Sequence, residues 1–124
     1  MGEKSAAILC EILKRNQPKN KLVELHLSNI KIKDRVRKDS PGALAQIMMQ
    51  VDDTKLLSRL KISDMNLRKE RFMMKYIVSV IETFGFELQY LNLSNCNIHI
   101  EDLARISAHF HTCEKLEVLD LSWN

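Results

Sequence analysis

An internal repeat of leucines constrains this chain more than any other feature. Four segments align without gaps, beginning at Leu22, Leu57, Leu88 and Leu116. Apolar residues fill the first, fourth and sixth positions of each: Leu22, Leu25 and Leu27, then Leu57, Leu60 and Ile62, then Leu88, Leu91 and Leu93, and last Leu116, Leu119 and Leu121. The starts are 35, 31 and 28 residues apart. Alternation over the fourth to sixth positions is the period of a half-buried strand, and self-similarity at such intervals is the mark of units stacked in a row. One copy would be a weak signal. Four copies span nearly the whole chain.

The segments between the copies carry a different period. Ala6, Leu9, Cys10 and Leu13 follow the i, i+3, i+4, i+7 spacing of a helix face, as do Leu44, Ile47, Met48 and Val51, and Met74, Ile77, Val78 and Ile81. Leu103, Ile106 and Phe110 continue the pattern, with Ser107 in the remaining slot. Ser40 and Pro41 supply a cap and a first-turn proline, and Glu101 and Asp102 place negative charge where a helix N-terminus favours it. The expected order is αβαβαβαβ. With Gly 3 and Pro 2 in 124 residues, the chain has too few turn-formers for an all-β protein of many short strands.

These residues resemble the leucine-rich repeat, L-x-x-L-x-L-x-x-N/C-x-L. The long interval and the intervening helix are similar to the ribonuclease-inhibitor-like subfamily, whose members are typically intracellular. The resemblance implies an α/β solenoid, a horseshoe segment of four helix–strand units. Parallel strands would line the concave wall and helices the convex one, with the leucines between them. In the family, an Asn or Cys at the ninth position hydrogen-bonds the turn that leaves the strand. Here that position reads Ile30, Met65, Cys96 and Asn124, so the first two turns are expected to be irregular. The expectation for 1–124 is one leucine-rich-repeat domain within a longer array, because Leu116, Leu119 and Leu121 would otherwise forfeit burial. A C-terminal edge docked on another chain is the second possibility.

Composition narrows the class. At 45% hydrophobic and 28% charged the chain is globular, its apolar stretches are too short to span a bilayer, and residues 1–6 are no secretory signal. Cys10, Cys96 and Cys113 are odd in number and fall in apolar-periodic segments, which suits reduced thiols and a cytoplasmic setting. The net charge of +3 is divided unevenly: residues 1–62 carry 13 Lys/Arg against 7 Asp/Glu, and residues 63–124 carry 6 against 9. Lys31, Lys33, Arg35, Arg37 and Lys38 form a basic run, but no aromatics interleave with it to stack bases, so it reads as a solvated loop.

Catalytic and metal chemistry find little support. Cys96, His99, His109, His111 and Cys113 are ligand types at the wrong spacing for zinc: Cys96 fills the ninth position, and His109 and His111 point to different helix faces. No phosphate-cradling or nucleophile-elbow motif occurs. Asp52 and Asp53 have no converging second site, and Met48, Met49, Met73 and Met74 read as core filler. The expectation is no enzyme, no cofactor, no metal and no small-molecule substrate.

What remains is the wall of strands. Its third and fifth columns read Glu24 and His26, Arg59 and Lys61, Tyr90 and Asn92, Val118 and Asp120, while Ser28, Ser63, Ser94 and Ser122 fill the seventh. Trp123, at the eighth position, is the largest candidate anchor, balanced against coverage by a following unit. The residues named as protein-binding are therefore Glu24, His26, Arg59, Lys61, Tyr90, Asn92, Val118, Asp120 and Trp123. The expected function is a non-catalytic protein-interaction scaffold binding through the concave face. The partner would be acidic toward Arg59 and Lys61 and basic toward Asp120, with no membrane or nucleic acid involved. Resemblance within the family implies two alternatives: regulation of a small GTPase, as by the Ran GTPase activator, or a spacer in cytoskeletal or ciliary assemblies.

Overall fold

The computed structural model describes residues 3–15, 22–30, 42–54 and 57–124. The basic run at Lys31 to Lys38 and the Ser40–Pro41 cap lie outside the described residues. Among the described residues, helices α1 (Glu3–Arg15), α2 (Ala43–Thr54), α3 (Arg71–Phe84) and α4 (Ile100–Ala108) alternate with strands β1 (Glu24–Ser28), β2 (Arg59–Ser63), β3 (Tyr90–Asn92) and β4 (Val118–Asp120). The strands form one parallel sheet in the order β1-β2-β3-β4. This is the α/β architecture expected from the repeat.

The repeat also sets the register. Glu24 pairs with Arg59, Arg59 with Tyr90, and Tyr90 with Val118. One step of two residues along, His26, Lys61, Asn92 and Asp120 align in the same way. Each junction is built from the same bonds. The carbonyl of Val23 accepts from Ser58 N and Arg59 N at 2.9 and 3.1 Å, Ser58 O from Gln89 N and Tyr90 N at 2.8 and 3.2 Å, and Gln89 O from Glu117 N and Val118 N at 2.9 and 3.2 Å.

The even strand positions enter the core with the helical stripes. Leu25, Leu27, Leu60, Ile62, Leu91 and Leu93 are buried in one cluster with Ala6, Cys10, Leu13, Ile47, Met48, Val51, Met74, Ile77 and Ile81. Leu103 and Phe110 are half-buried against it, but Phe110 lies in a short 3₁₀ turn, Phe110–Thr112, because α4 ends at Ala108.

The turns leaving β1, β2 and β3 begin alike, but those of β2 and β3 part at the tenth position, where Asn97 is left-handed with φ of 48° and Asn66 has φ of −89°. Asn29, Asp64 and Asn95 adopt left-handed backbone with φ of 51°, 56° and 52°. Their N–H groups donate to Ser63 O, Ser94 O and Ser122 O at 3.0, 3.1 and 2.9 Å. Asn and Asp tolerate that region better than other side chains, so the eighth position shapes the turn. The ninth position is then free to be apolar, and Ile30 and Met65 are buried.

Candidate functional site

The open face of the sheet, opposite the buried leucines, carries the residues singled out above. Strand alternation puts them there: β1 reads exposed, buried, exposed, buried, exposed from Glu24 to Ser28. Arg59, Lys61, Tyr90 and Asp120 are half-buried, and Val118 and Trp123 are exposed. Asn92 is the exception at 7% exposure.

At the β1 end the side chains are already paired with one another. Glu24 Oε1 lies 2.9 Å from His26 Nε2 and 3.5 Å from Arg59 Nε. The Arg59 guanidinium sits 4.7 Å from the centre of the Tyr90 ring, in reach of a cation–π interaction, and the His26 and Tyr90 rings are 6.4 Å apart. Four residues from three strands thus form one neutralised cluster.

The β4 end is organised by turns. Asn92 Oδ1 accepts from Ser94 N and Ser94 Oγ at 3.0 and 2.8 Å, and Asp120 Oδ1 accepts from Ser122 N and Ser122 Oγ at 3.0 and 2.6 Å. Asn92 Nδ2 donates to Asp120 Oδ2 at 3.1 Å, joining the two units. The Ser122 hydroxyl and then its N–H hold the Asp120 carboxyl below the usual carboxylate range, and Asn92 and the charge of Lys61 act in the same direction. Sequence reasoning assigned Asn92 to recognition and missed this role. The signal was present, since Asn92-Leu93-Ser94 and Asp120-Leu121-Ser122 have the form of a side chain that bonds its own backbone two residues on. The seventh-position serines differ accordingly: Ser63 Oγ donates across the sheet to Ser28 Oγ at 2.9 Å, while Ser94 and Ser122 serve their own turns.

Asn124 and Cys96 occupy equivalent places and make equivalent bonds. Asn124 Nδ2 donates to Leu93 O at 2.7 Å, and Cys96 Sγ lies 3.1 Å from Ile62 O. Asn124 Oδ1 also accepts from Cys96 N and Ile98 N, both at 3.2 Å. Burial pushes the Cys96 thiol up to about 11, so it stays protonated and structural. The other residues weighed for zinc are dispersed. His99 Nδ1 accepts from Glu101 N at 3.3 Å and caps α4, His109 lies 3.2 Å from Glu82, and His111 bonds Ala108 O at 2.8 Å. Among the described residues, no group of three or more His, Cys, Asp or Glu is placed to hold a metal ion.

Parallel strands in chain order, helices returning between them, and the Cys96 and Asn124 side chains tying the last two turns to the unit before each decide what this sequence is similar to. Residues 87–108 match the family described as Leucine Rich Repeat. The match covers β3 and α4, and the same register in the flanking units supports a leucine-rich repeat protein. Leucine-rich repeats are typically non-catalytic modules of protein interaction, and the alternating helices and parallel strands of this chain are consistent with their architecture. No curated protein and no solved structure matches the chain. Among the described residues, no helix is long and apolar enough to cross a membrane.

Proposed function

We propose that this chain is a non-catalytic interaction scaffold that binds a partner protein through the open, concave face of its sheet. One observation carries the reading: the third and fifth columns align strand by strand into two rows whose side chains change in charge and shape from unit to unit. The strand positions behind them stay aliphatic in every unit, so on the strands the variation in charge falls on the face that meets solvent. A surface of that kind can select a partner without altering the core.

The experiment is site-specific photo-crosslinking. A photoreactive residue at Lys61 or Val118, on the open face, should join the same partner from a cell extract. One at Lys75 or Arg105, on exposed helical positions, should not. Adducts from the helical positions alone would overturn the reading. Reversing charge with Arg59→Glu and Lys61→Glu together should slow association with that partner and change its salt dependence.

A further inference from the structure

Charge is segregated within the second half of the chain. Residues 63–124 carry 6 Lys/Arg, and four of them, Arg68, Lys69, Arg71 and Lys75, fall within eight consecutive positions. The 3₁₀ turn Leu67–Lys69 and the first turns of α3 carry these four side chains, and all four are exposed. Arg71 and Lys75 are one helical turn apart on the same face.

The other two cations of that half are both paired. Arg105 lies 3.9 Å from Asp102, and Lys115 lies 2.7 Å from Glu87. Among the described residues, no carboxylate comes within ion-pair distance of Arg68, Arg71 or Lys75. Glu70, the one acid in the stretch, is 4% exposed and forms no such pair with them.

These cations do not favour the helix they open. Like charges one turn apart repel, and positive charge at a helix start opposes its dipole. The first turn of α3 holds no acidic residue, whereas that of α4 holds Glu101 and Asp102. Nor is α3 at an edge of the molecule, since α2 packs on one side of it and α4 on the other.

The extent of the positive surface fixes the kind of partner. Glu82 lies farther along α3, and Glu101 and Asp102 open the neighbouring helix, so acids bound the surface in two directions. A bilayer or a nucleic-acid strand would meet those acids as well as the cations, and a short acidic segment would not. Phe72 and Tyr76, half-buried beside Arg71 and Lys75 on the same helix, offer apolar surface on which such a segment can rest.

We infer that Arg68, Arg71 and Lys75 form a docking surface, on the helical side of the molecule, for a short acidic segment of a second protein. This surface is separate from the open face of the sheet and does not depend on what binds there.

A fluorescently labelled, amidated hexaglutamate peptide added to the 124-residue protein at low ionic strength should show a saturable rise in anisotropy, and added salt should weaken it. Arg68→Gln with Arg71→Gln should weaken the peptide by about tenfold and keep or raise the thermal midpoint. Arg105→Gln with Lys115→Gln removes the same charge from paired positions and should change the affinity by less than about twofold. Flat anisotropy, or equal weakening in the two double variants, would overturn the surface. A lowered midpoint in Arg68→Gln with Arg71→Gln would assign these cations to the fold instead. Phosphatidylserine vesicles that sediment the protein while hexaglutamate stays unbound would replace the acidic segment with a membrane. In each of these failures, crosslinks from Lys61 and Val118 still decide the reading of the open face.

Discussion

Strands β1 and β4 both end the sheet, yet their leucines live in different environments. Leu25 and Leu27 on β1 are 7% and 2% exposed, whereas Leu119 on β4 is 44% exposed and Leu116 and Leu121 are half-buried. Residue type and register are the same at both ends. At the β1 end, helix α1 adds Ala6, Cys10 and Leu13 to the core that holds Leu25 and Leu27. Helix α4, which precedes β4 as α1 precedes β1, adds Ile106 to the same core, with Leu103 and Phe110 half-buried against it. In a stack, a repeat position states what a side chain can bury, and the neighbour decides how much of it is buried.

The sharpest way to break this comparison is to truncate matched leucines. Leu91→Ala, at a site with 0% exposure, should cost about 2–5 kcal/mol in denaturant unfolding, from lost transfer energy and the cavity left behind. Leu119→Ala, at the same position of the next unit, should cost about 1 kcal/mol or less. Equal losses would show that the β4 leucines are as well packed as the interior ones.

The open unit is also tied to its neighbour by polar bonds. Asn124→Ala removes an acceptor from Cys96 N and Ile98 N and a donor from Leu93 O, and it should destabilise by about 1–3 kcal/mol in the same assay. No loss would mean that the β4 unit is not coupled to β3 through this side chain.

Two carboxyl groups contrast interior with edge. Glu70, ahead of α3, is 4% exposed, and burial raises its pKa, while hydrogen bonds from Ser122 lower that of Asp120. For Glu70 the unfolded chain ionises first, so stability is fullest below the ordinary glutamate value of 4.5 and falls as pH rises through the folded value. Glu70→Gln should therefore stabilise at neutral pH by about 1 kcal/mol, and the gain should vanish in acid when midpoints are followed against pH. Asp120 runs the other way: its contribution is present at neutral pH and lost as pH falls through its lowered value.

Much of this molecule was legible before its coordinates. The helices and the two columns of outward residues follow from periodicity, because burial of leucines leaves one choice of face for each strand, while the parallel order is what the family resemblance implies. The polar contacts were harder to read. Glu24, His26 and Arg59 were assigned to the surface one by one, and their mutual pairing depends on side-chain rotamers that no spacing rule describes. The ninth position, apolar as Ile30 and Met65, does not reveal that the eighth position starts each turn in left-handed backbone. Asn92 was placed by its column, although its side chain is spent on Ser94 and Asp120.

The order of strands in the sheet is the order of strands in the chain, and each junction repeats the bonds of the one before it. Among the described residues, each strand and helix packs on its neighbours in the row. Tension applied between its two termini would therefore meet a series of small, similar resistances in place of one large one, and the coils would come away singly.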